Sequence, residues 1–167
     1  MIEDSFFMLL FSVFAGAGTD FFYSVSDMKR ISINPEFSDS EVVRILSVTR
    51  SETFVVVELS SFQFISMRKS ADIALVTNVA PNHLDVHKDM DEYVDSKRNI
   101  VLHQNGFSRT VLNSDNEITM SFLQHVRGDA LFFSRRHPVE HGTYLRDDGM
   151  LCMEYNGVTT PIVSKEE

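Results

Sequence analysis

Lys97 stands where a lysine is out of place. Asp89 with Glu92 three residues on has the capping-box spacing, which predicts a helix from Met90 to Gln104. At about 100° per residue, Met90, Tyr93, Val94, Ile100 and Val101 all fall within ~60° of Lys97. Asp91, Glu92, Asp95, Arg98 and Asn99 take the opposite face, and Leu102 is the one misfit. Lys97 therefore sits at the centre of an apolar stripe. Two readings follow. The side chain snorkels its ammonium out past the helix flank, or it is a desolvated amine that loses its proton readily and does chemistry.

The residues upstream favour chemistry. Thr53 to Glu58 is a short β-branched run of the kind that forms a buried parallel strand, and it ends in a carboxylate followed by Leu59-Ser60-Ser61-Phe62-Gln63. A second such run, Ala71 to Val79, ends in Ala80-Pro81-Asn82-His83-Leu84-Asp85-Val86-His87. Polar groups thus gather at the carboxyl ends of two strands, where open α/β sheets bind their ligands. Taken singly, Glu58 could be an edge charge, Ser60 a helix cap and His83 a loop residue in solvent. Together they make an oxygen-and-imidazole set suited to a hard divalent ion beside anionic substrate groups.

Four segments in order, VVVELSSFQF, ADIALVTNVAPNHLDVH, MDEYVDSKRNIVLHQN and TVLNSDN, resemble the Mur ligases that build the peptide of bacterial cell-wall precursors. The resemblance runs over residues 42–167, a partial central domain, and leaves 1–41 as an off-pattern N-terminal segment. The ELSSFQ form points to the branch that adds D-glutamate to UDP-N-acetylmuramoyl-L-alanine. It implies an ATP-dependent ligase in which Glu58 and His83 hold Mg²⁺, and in which Lys97 carries a carbamate that turns a cation into a carboxylate-like ligand. His83 and the modified Lys97 would then be the catalytic groups. Ser60 and Gln63 match positions near the UDP-sugar, and Asp85 and His87 support the loop. ATP would phosphorylate the substrate carboxylate, and the D-glutamate amine would attack the acyl phosphate.

Departures from the family pattern matter as much. Family members open this domain with a Gly-rich phosphate loop ending in Gly-Lys-Thr or Gly-Lys-Ser, and this sequence has none. Gly16-Ala17-Gly18-Thr19 lacks the lysine and reads as a turn, and Glu36-Phe37-Ser38-Asp39-Ser40 stands where a Gly-Asn-Ile-Gly segment belongs. The UDP-binding and D-glutamate-binding domains of the family are also outside this sequence. Such abrupt loss of resemblance is what a truncated or disrupted reading frame would produce. The competing reading is a non-catalytic remnant or interaction module that keeps the fold and binds no ATP. Without the strand before the phosphate loop, the sheet is expected to carry an unpaired edge.

Phe6 to Ala17 is almost wholly apolar, fit for a buried helix or a secretory h-region but short of the ~20 residues of a membrane span. Glu3 and Asp4 stand where a signal peptide carries Lys or Arg, which disfavours secretion. The 167 residues suffice for one domain, and a formal charge of −9 argues against nucleic acid and an anionic membrane. Cys152 is the single cysteine, so no internal disulfide exists. A cytoplasmic monomer is expected.

The remaining elements follow from pattern. Ser38 with Glu41 opens a helix to Val48, a helix runs from Phe62 to Arg68, strands cover Arg109–Leu112 and Ala130–Phe133, and a helix covers Glu117–Val126. From Gly142 onward, Asp147-Asp148-Gly149 and Asn156-Gly157 signal hairpins. Alternating βα units and then a meander predict an α/β fold, a three-layer mostly parallel sheet with a small C-terminal antiparallel hairpin sheet.

Overall fold

The βα alternation predicted from 53 to 134 is present as a sheet whose parallel strands are joined by helices on one face. The computed structural model describes residues 7–12, 29–30, 54–58, 61–65, 67–80 and 87–164. In chain order these form strands β1 (Phe7–Ser12), β2 (Lys29–Arg30) and β3 (Phe54–Glu58), helix α1 (Ser61–Ile65), strand β4 (Ile73–Val76), helix α2 (Met90–Leu102) and strand β5 (Arg109–Asn113). Helix α3 (Glu117–Ser121) and a 3₁₀ turn (Phe122–His125) follow, then β6 (Asp129–Ser134), β7 (Gly142–Leu145), β8 (Met150–Tyr155) and β9 (Val158–Ser164). They make one sheet of order β2-β3-β1-β4-β5-β6-β7-β8-β9.

Two expectations need correction. The apolar run after Phe6 is a strand over Phe7–Ser12, and it lies antiparallel between β3 and β4, with Leu9 opposite Val57 on one side and Ala74 on the other. Backbone groups of β3 and β4 that face each other need partners, and β1 supplies them, so the expected unpaired edge is filled. The C-terminal antiparallel hairpins are present as expected, attached to the parallel strands. Parallel pairing of Phe132–Ser134 with Gly142–Tyr144 joins them to the main sheet. Gly142 permits this approach: its φ is +139°, and a Cβ there would lie 1.8 Å from the Phe132 carbonyl oxygen. The helix predicted at 38–48 lies outside the described residues.

The core forms where the helices meet the sheet. Phe64 of α1, Tyr93, Ile100 and Val101 of α2, and Phe122 pack with Ala74, Val76 and Leu112 of β4 and β5, all within 1% of full burial. Asp89 caps α2 as predicted, its carboxylate accepting from the Glu92 amide at 2.9 Å, while Glu92 reaches back to the Lys88 amide at 2.7 Å. Asp91 and Glu92 also complement the positive end of the helix dipole. The helix stops at Leu102, two residues early, because buried Gln104 turns inward. Its amide donates to the Ala71 and Arg109 carbonyls and accepts from Thr110 Oγ1 at 2.7 Å, which ties the start of β4 to that of β5.

A second small core of Val139, Tyr144 and Cys152 lies under the hairpins. Cys152 is fully buried there, as expected of a packed strand thiol. Asn156 and Gly157, with φ of 53° and 78°, form the two-residue turn joining β8 to β9. Among the described residues, no helix is long and apolar enough to cross a membrane.

Candidate functional site

Strands β3, β4, β5 and β6 all run the same way, so their carboxyl ends share one edge of the sheet. Two groups of polar side chains collect there.

The first joins α1 to α2. Ser61 opens α1 just after β3, and its Oγ lies 2.9 Å from His87 Nε2, with both residues buried. The His87 ring meets Tyr93 edge-on at 5.2 Å, and Lys97 Nζ stands 4.8 Å from the centroid of the same Tyr93 ring. Tyr93 and Lys97 are four residues apart on α2, so they share a face. Lys97 is 3% exposed. The snorkelling reading therefore fails: the amine is inside, partly held by the electron-rich face of the tyrosine ring. His87 is held by its hydrogen bond with Ser61.

Of the other sequence-predicted site residues, Glu58 is the last residue of β3 and Gln63 lies in α1. His83 and Ser60 fall outside the described residues, as do Asn82 and Asp85. Glu58 lies three residues before Ser61, and His83 four before His87. The Ser61–His87–Tyr93–Lys97 chain thus ties the start of α1 to His87 and to α2. A plain amine is a poor ligand for Mg²⁺, which prefers oxygen. The set suits that ion only if Lys97 bears a carbamate. Among the described residues, no group of three His, Cys, Asp or Glu side chains could hold a metal.

The second group escaped the sequence reading. A cleft of about 510 Å³ at the ends of β4, β5 and β6 is lined by Asn78, Asn113, Asp115, Asn116, Arg135 and Arg136. Asn113 Nδ2 donates to the Thr77 carbonyl at 2.8 Å, and Asn116 Nδ2 to Asn78 Oδ1 at 2.6 Å and the Val79 carbonyl at 3.0 Å. Asn116 also caps α3 through the Thr119 amide at 2.9 Å. Burial opposes ionisation of Asp115. Hydrogen bonds from Ser134 Oγ at 2.6 Å and the Arg135 amide at 2.7 Å, with the charges of His137 and Arg136, outweigh it and hold the carboxyl below the usual range. The signal available in sequence was two asparagines three apart just past a strand, followed by Ser-Arg-Arg after the next one.

A model of the Mur ligase middle domain matches residues 22–154. The chain belongs to the Mur ligase family. Relatives include the UDP-N-acetylmuramoylalanine–D-glutamate ligase of Acetivibrio thermocellus, 54% identical over 94 residues, which are 56% of this chain and 20% of that protein. The Clostridium novyi protein of the same name is 45% identical over 120 residues, 72% of this chain and 25% of its own length. The Mur ligase chain described here thus spans about a fifth to a quarter of the curated relatives it matches. Among solved structures, a UDP-N-acetylmuramoyl-L-alanyl-D-glutamate–2,6-diaminopimelate ligase superposes with a TM-score of 0.54 at 16% identity, over 69% of this chain and 26% of that one. MurF ligase from Thermotoga maritima, in complex with ADP, gives 0.50 at 14% identity, over 83% and 35%. These two show the shared fold.

Proposed function

We propose that this chain is the central portion of a cytoplasmic, ATP-dependent ligase that joins D-glutamate to UDP-N-acetylmuramoyl-L-alanine. The names of the relatives give the reaction class. The observation that carries the reading to particular residues is the buried Lys97 amine at the end of the Ser61–His87–Tyr93 chain. Glu58, His83 and a carbamate on Lys97 would hold Mg²⁺, which when bound neutralises phosphate charge and polarises phosphoryl oxygens. Within the chain, Ser61 and His87 fix the loop, Tyr93 orients the lysine, and Ser60 with Gln63 contacts the UDP-sugar. Positioning and electrostatics would supply most of the acceleration.

Labelled bicarbonate tests it. With ¹³C-bicarbonate, the chain should show a carbamate carbon resonance that Lys97→Met abolishes. Its absence from the wild-type chain would defeat the assignment of Lys97. A second reading, a remnant that keeps the fold without binding ATP, is favoured by the missing Gly-Lys-Thr sequence. Both readings expect no phosphate release from ATP by this chain alone, so release above a heat-treated control would count against each. They part in a longer chain that restores the phosphate loop and flanking domains, where only the ligase reading expects D-glutamate incorporation.

A further inference from the structure

The dipeptide Asn-Gly occurs twice in the sequence, at Asn105-Gly106 between α2 and β5 and at Asn156-Gly157 between β8 and β9. A glycine after asparagine leaves its own amide nitrogen unshielded by a side chain, so that nitrogen can reach the side-chain carbonyl carbon of the asparagine. The fold treats the two copies differently. Asn105 opens a turn in which the Ser108 amide donates to the Asn105 carbonyl at 3.1 Å and the Asn105 amide donates to Ser108 Oγ at 3.2 Å. The Phe107 amide donates to Asn105 Oδ1 at 2.8 Å, which folds the side chain back over the Gly106 peptide. Buried Gln104 fixes the entry to this turn, and the Arg109 amide, bonded to the Asp72 carbonyl at 2.8 Å, fixes the exit. Between these anchors Asn105, Gly106 and Phe107 are exposed. The Gly106 amide makes no hydrogen bond to a described residue, and nothing lies within 4 Å of where a Cβ would sit. An amide nitrogen with no competing bond is thus next to a side-chain carbonyl whose oxygen already has a donor. At the second copy, Asn156 and Gly157 take φ of 53° and 78° in a two-residue turn closed by paired Tyr155 and Val158, and the Asn156 side chain has no hydrogen bond to a described residue. Ring closure must rotate the peptide after the asparagine, and at 156 that peptide is clamped between paired strands.

We infer that Asn105 is a site of spontaneous deamidation in the folded chain, and that it reacts ahead of Asn156. The Gly106 nitrogen gives its proton to water and bonds to Asn105 Cγ, and the charge that develops on Oδ1 meets the Phe107 N–H. The Cγ–Nδ2 bond then breaks, and Nδ2 takes a proton and leaves as ammonia. Water opens the resulting succinimide at either carbonyl, which gives aspartate or isoaspartate. Isoaspartate routes the main chain through the side-chain carbon, so the turn lengthens and the Asn105 carbonyl leaves the Ser108 amide. The Ser108 carbonyl in turn accepts from the Asp129 amide at 3.0 Å. The modified chain therefore carries an added negative charge and looser starts to β5 and β6. The inference does not depend on the ligase reading.

Incubation of the full chain at mildly alkaline pH, with time points digested and mapped by mass spectrometry, reads the outcome; an isoaspartyl methyltransferase reports the isoaspartate. In the folded chain the Asn105 peptide should convert roughly tenfold faster than the Asn156 peptide, about what one hydrogen bond to the developing charge supplies at an exposed site. In guanidinium chloride the two rates should converge, because the turn and the hairpin are both gone. Gly106→Ala has open space for its Cβ and no positive φ to oppose it, so it should keep the melting temperature while slowing Asn105 by about tenfold. The wild-type ordering decides the matter even if that variant misfolds. Conversion of Asn156 first, or equal rates at the two sites in the folded chain, overturns the proposal. So does a rate ratio that survives in guanidinium chloride, or a well-folded Gly106→Ala that converts at the wild-type rate.

Discussion

Replacing Lys97 by Met should stabilise this chain while removing the group that the proposed chemistry needs. Lys97 is 3% exposed, so folding takes its amine out of water. Replacing buried ionic groups by apolar ones of similar volume is often neutral or stabilising, by about 1–4 kcal/mol. Against this stands the contact with the Tyr93 ring at 4.8 Å, of a kind worth roughly 0.5–2 kcal/mol. Met keeps most of the stem's volume and sets a thioether beside the same ring, which returns about 0.3–1.5 kcal/mol. The balance favours Met by about 2 kcal/mol, which in a chain of this length is a rise of roughly 4–8 °C in melting temperature. Lys97→Ala should lower it instead, because the stem leaves a cavity beside Ile100 and Val101. Thermal melts followed by circular dichroism, with urea midpoints as a check, measure both. A fall of several degrees for Met would refute the reasoning: the ammonium would then be serving the fold through a strong ionic contact, and its burial would say nothing about chemistry.

Gly142→Ala should destabilise by about 3 kcal/mol or more, since an L side chain at φ +139° is strained and its Cβ meets the Phe132 oxygen at 1.8 Å. Hydrogen exchange should show the Phe132 amide, which donates to the His141 carbonyl at 2.8 Å, losing protection first. Asp115 has a depressed folded pKa, so its stabilising effect is complete above its unfolded value of about 3.9 and is lost as pH falls through the folded one. Ser134→Ala removes one of its hydrogen bonds, and the gap in urea midpoint between wild type and variant should narrow below about pH 4; a gap that does not change with pH would exclude this origin. Asp148, hydrogen-bonded by the Arg146 guanidinium at 2.6 and 2.9 Å, is held down to about 2. Its carboxyl carbon should titrate there by NMR and move up toward the ordinary value in Arg146→Ala.

Local signals were legible wherever the chain's own neighbours satisfy its backbone. The Asp89–Glu92 box placed the start of α2 at Met90, and Asn156-Gly157 placed a two-residue turn, because both depend on side chains or torsions a few residues away. Boundaries set by distant partners were not. The strand expected from Ala71 to Val79 narrows to Ile73–Val76, since the Thr77 and Val79 carbonyls are taken by the side chains of Asn113 and Asn116. Helix α1 ends at Ile65 rather than Arg68, whose guanidinium turns back to the Ile65 and Met67 carbonyls. The helix expected from Glu117 to Val126 tightens into a 3₁₀ turn from Phe122, the residue that anchors it in the core. At the site, Lys97 was found because its position broke a pattern. The cleft around Asn113, Asn116 and Asp115 broke none, and it exists only because three strands end side by side.

The N-terminal strand bears on catalysis in a way that composition cannot reveal. An apolar run such as Phe-Met-Leu-Leu-Phe serves a buried helix or a buried strand equally well, and the slot between β3 and β4 decides for a strand. Orientation then matters more than occupancy. A phosphate loop works by leaving the carboxyl end of a strand and entering a helix whose amino terminus faces the nucleotide. In β1, Ser12 lies opposite Phe54, at the amino end of β3, while the amino-terminal part of the strand, Met8, lies opposite Glu58. The strand thus delivers the chain to the edge of the sheet remote from Glu58, Ser61 and Asn113. A strand in this slot completes the backbone pairing of the sheet without being able to present a phosphate loop to the candidate site. A strand in this slot can thus add to stability without contributing to nucleotide binding, and a sharp thermal transition would be compatible with a complete lack of ATP turnover.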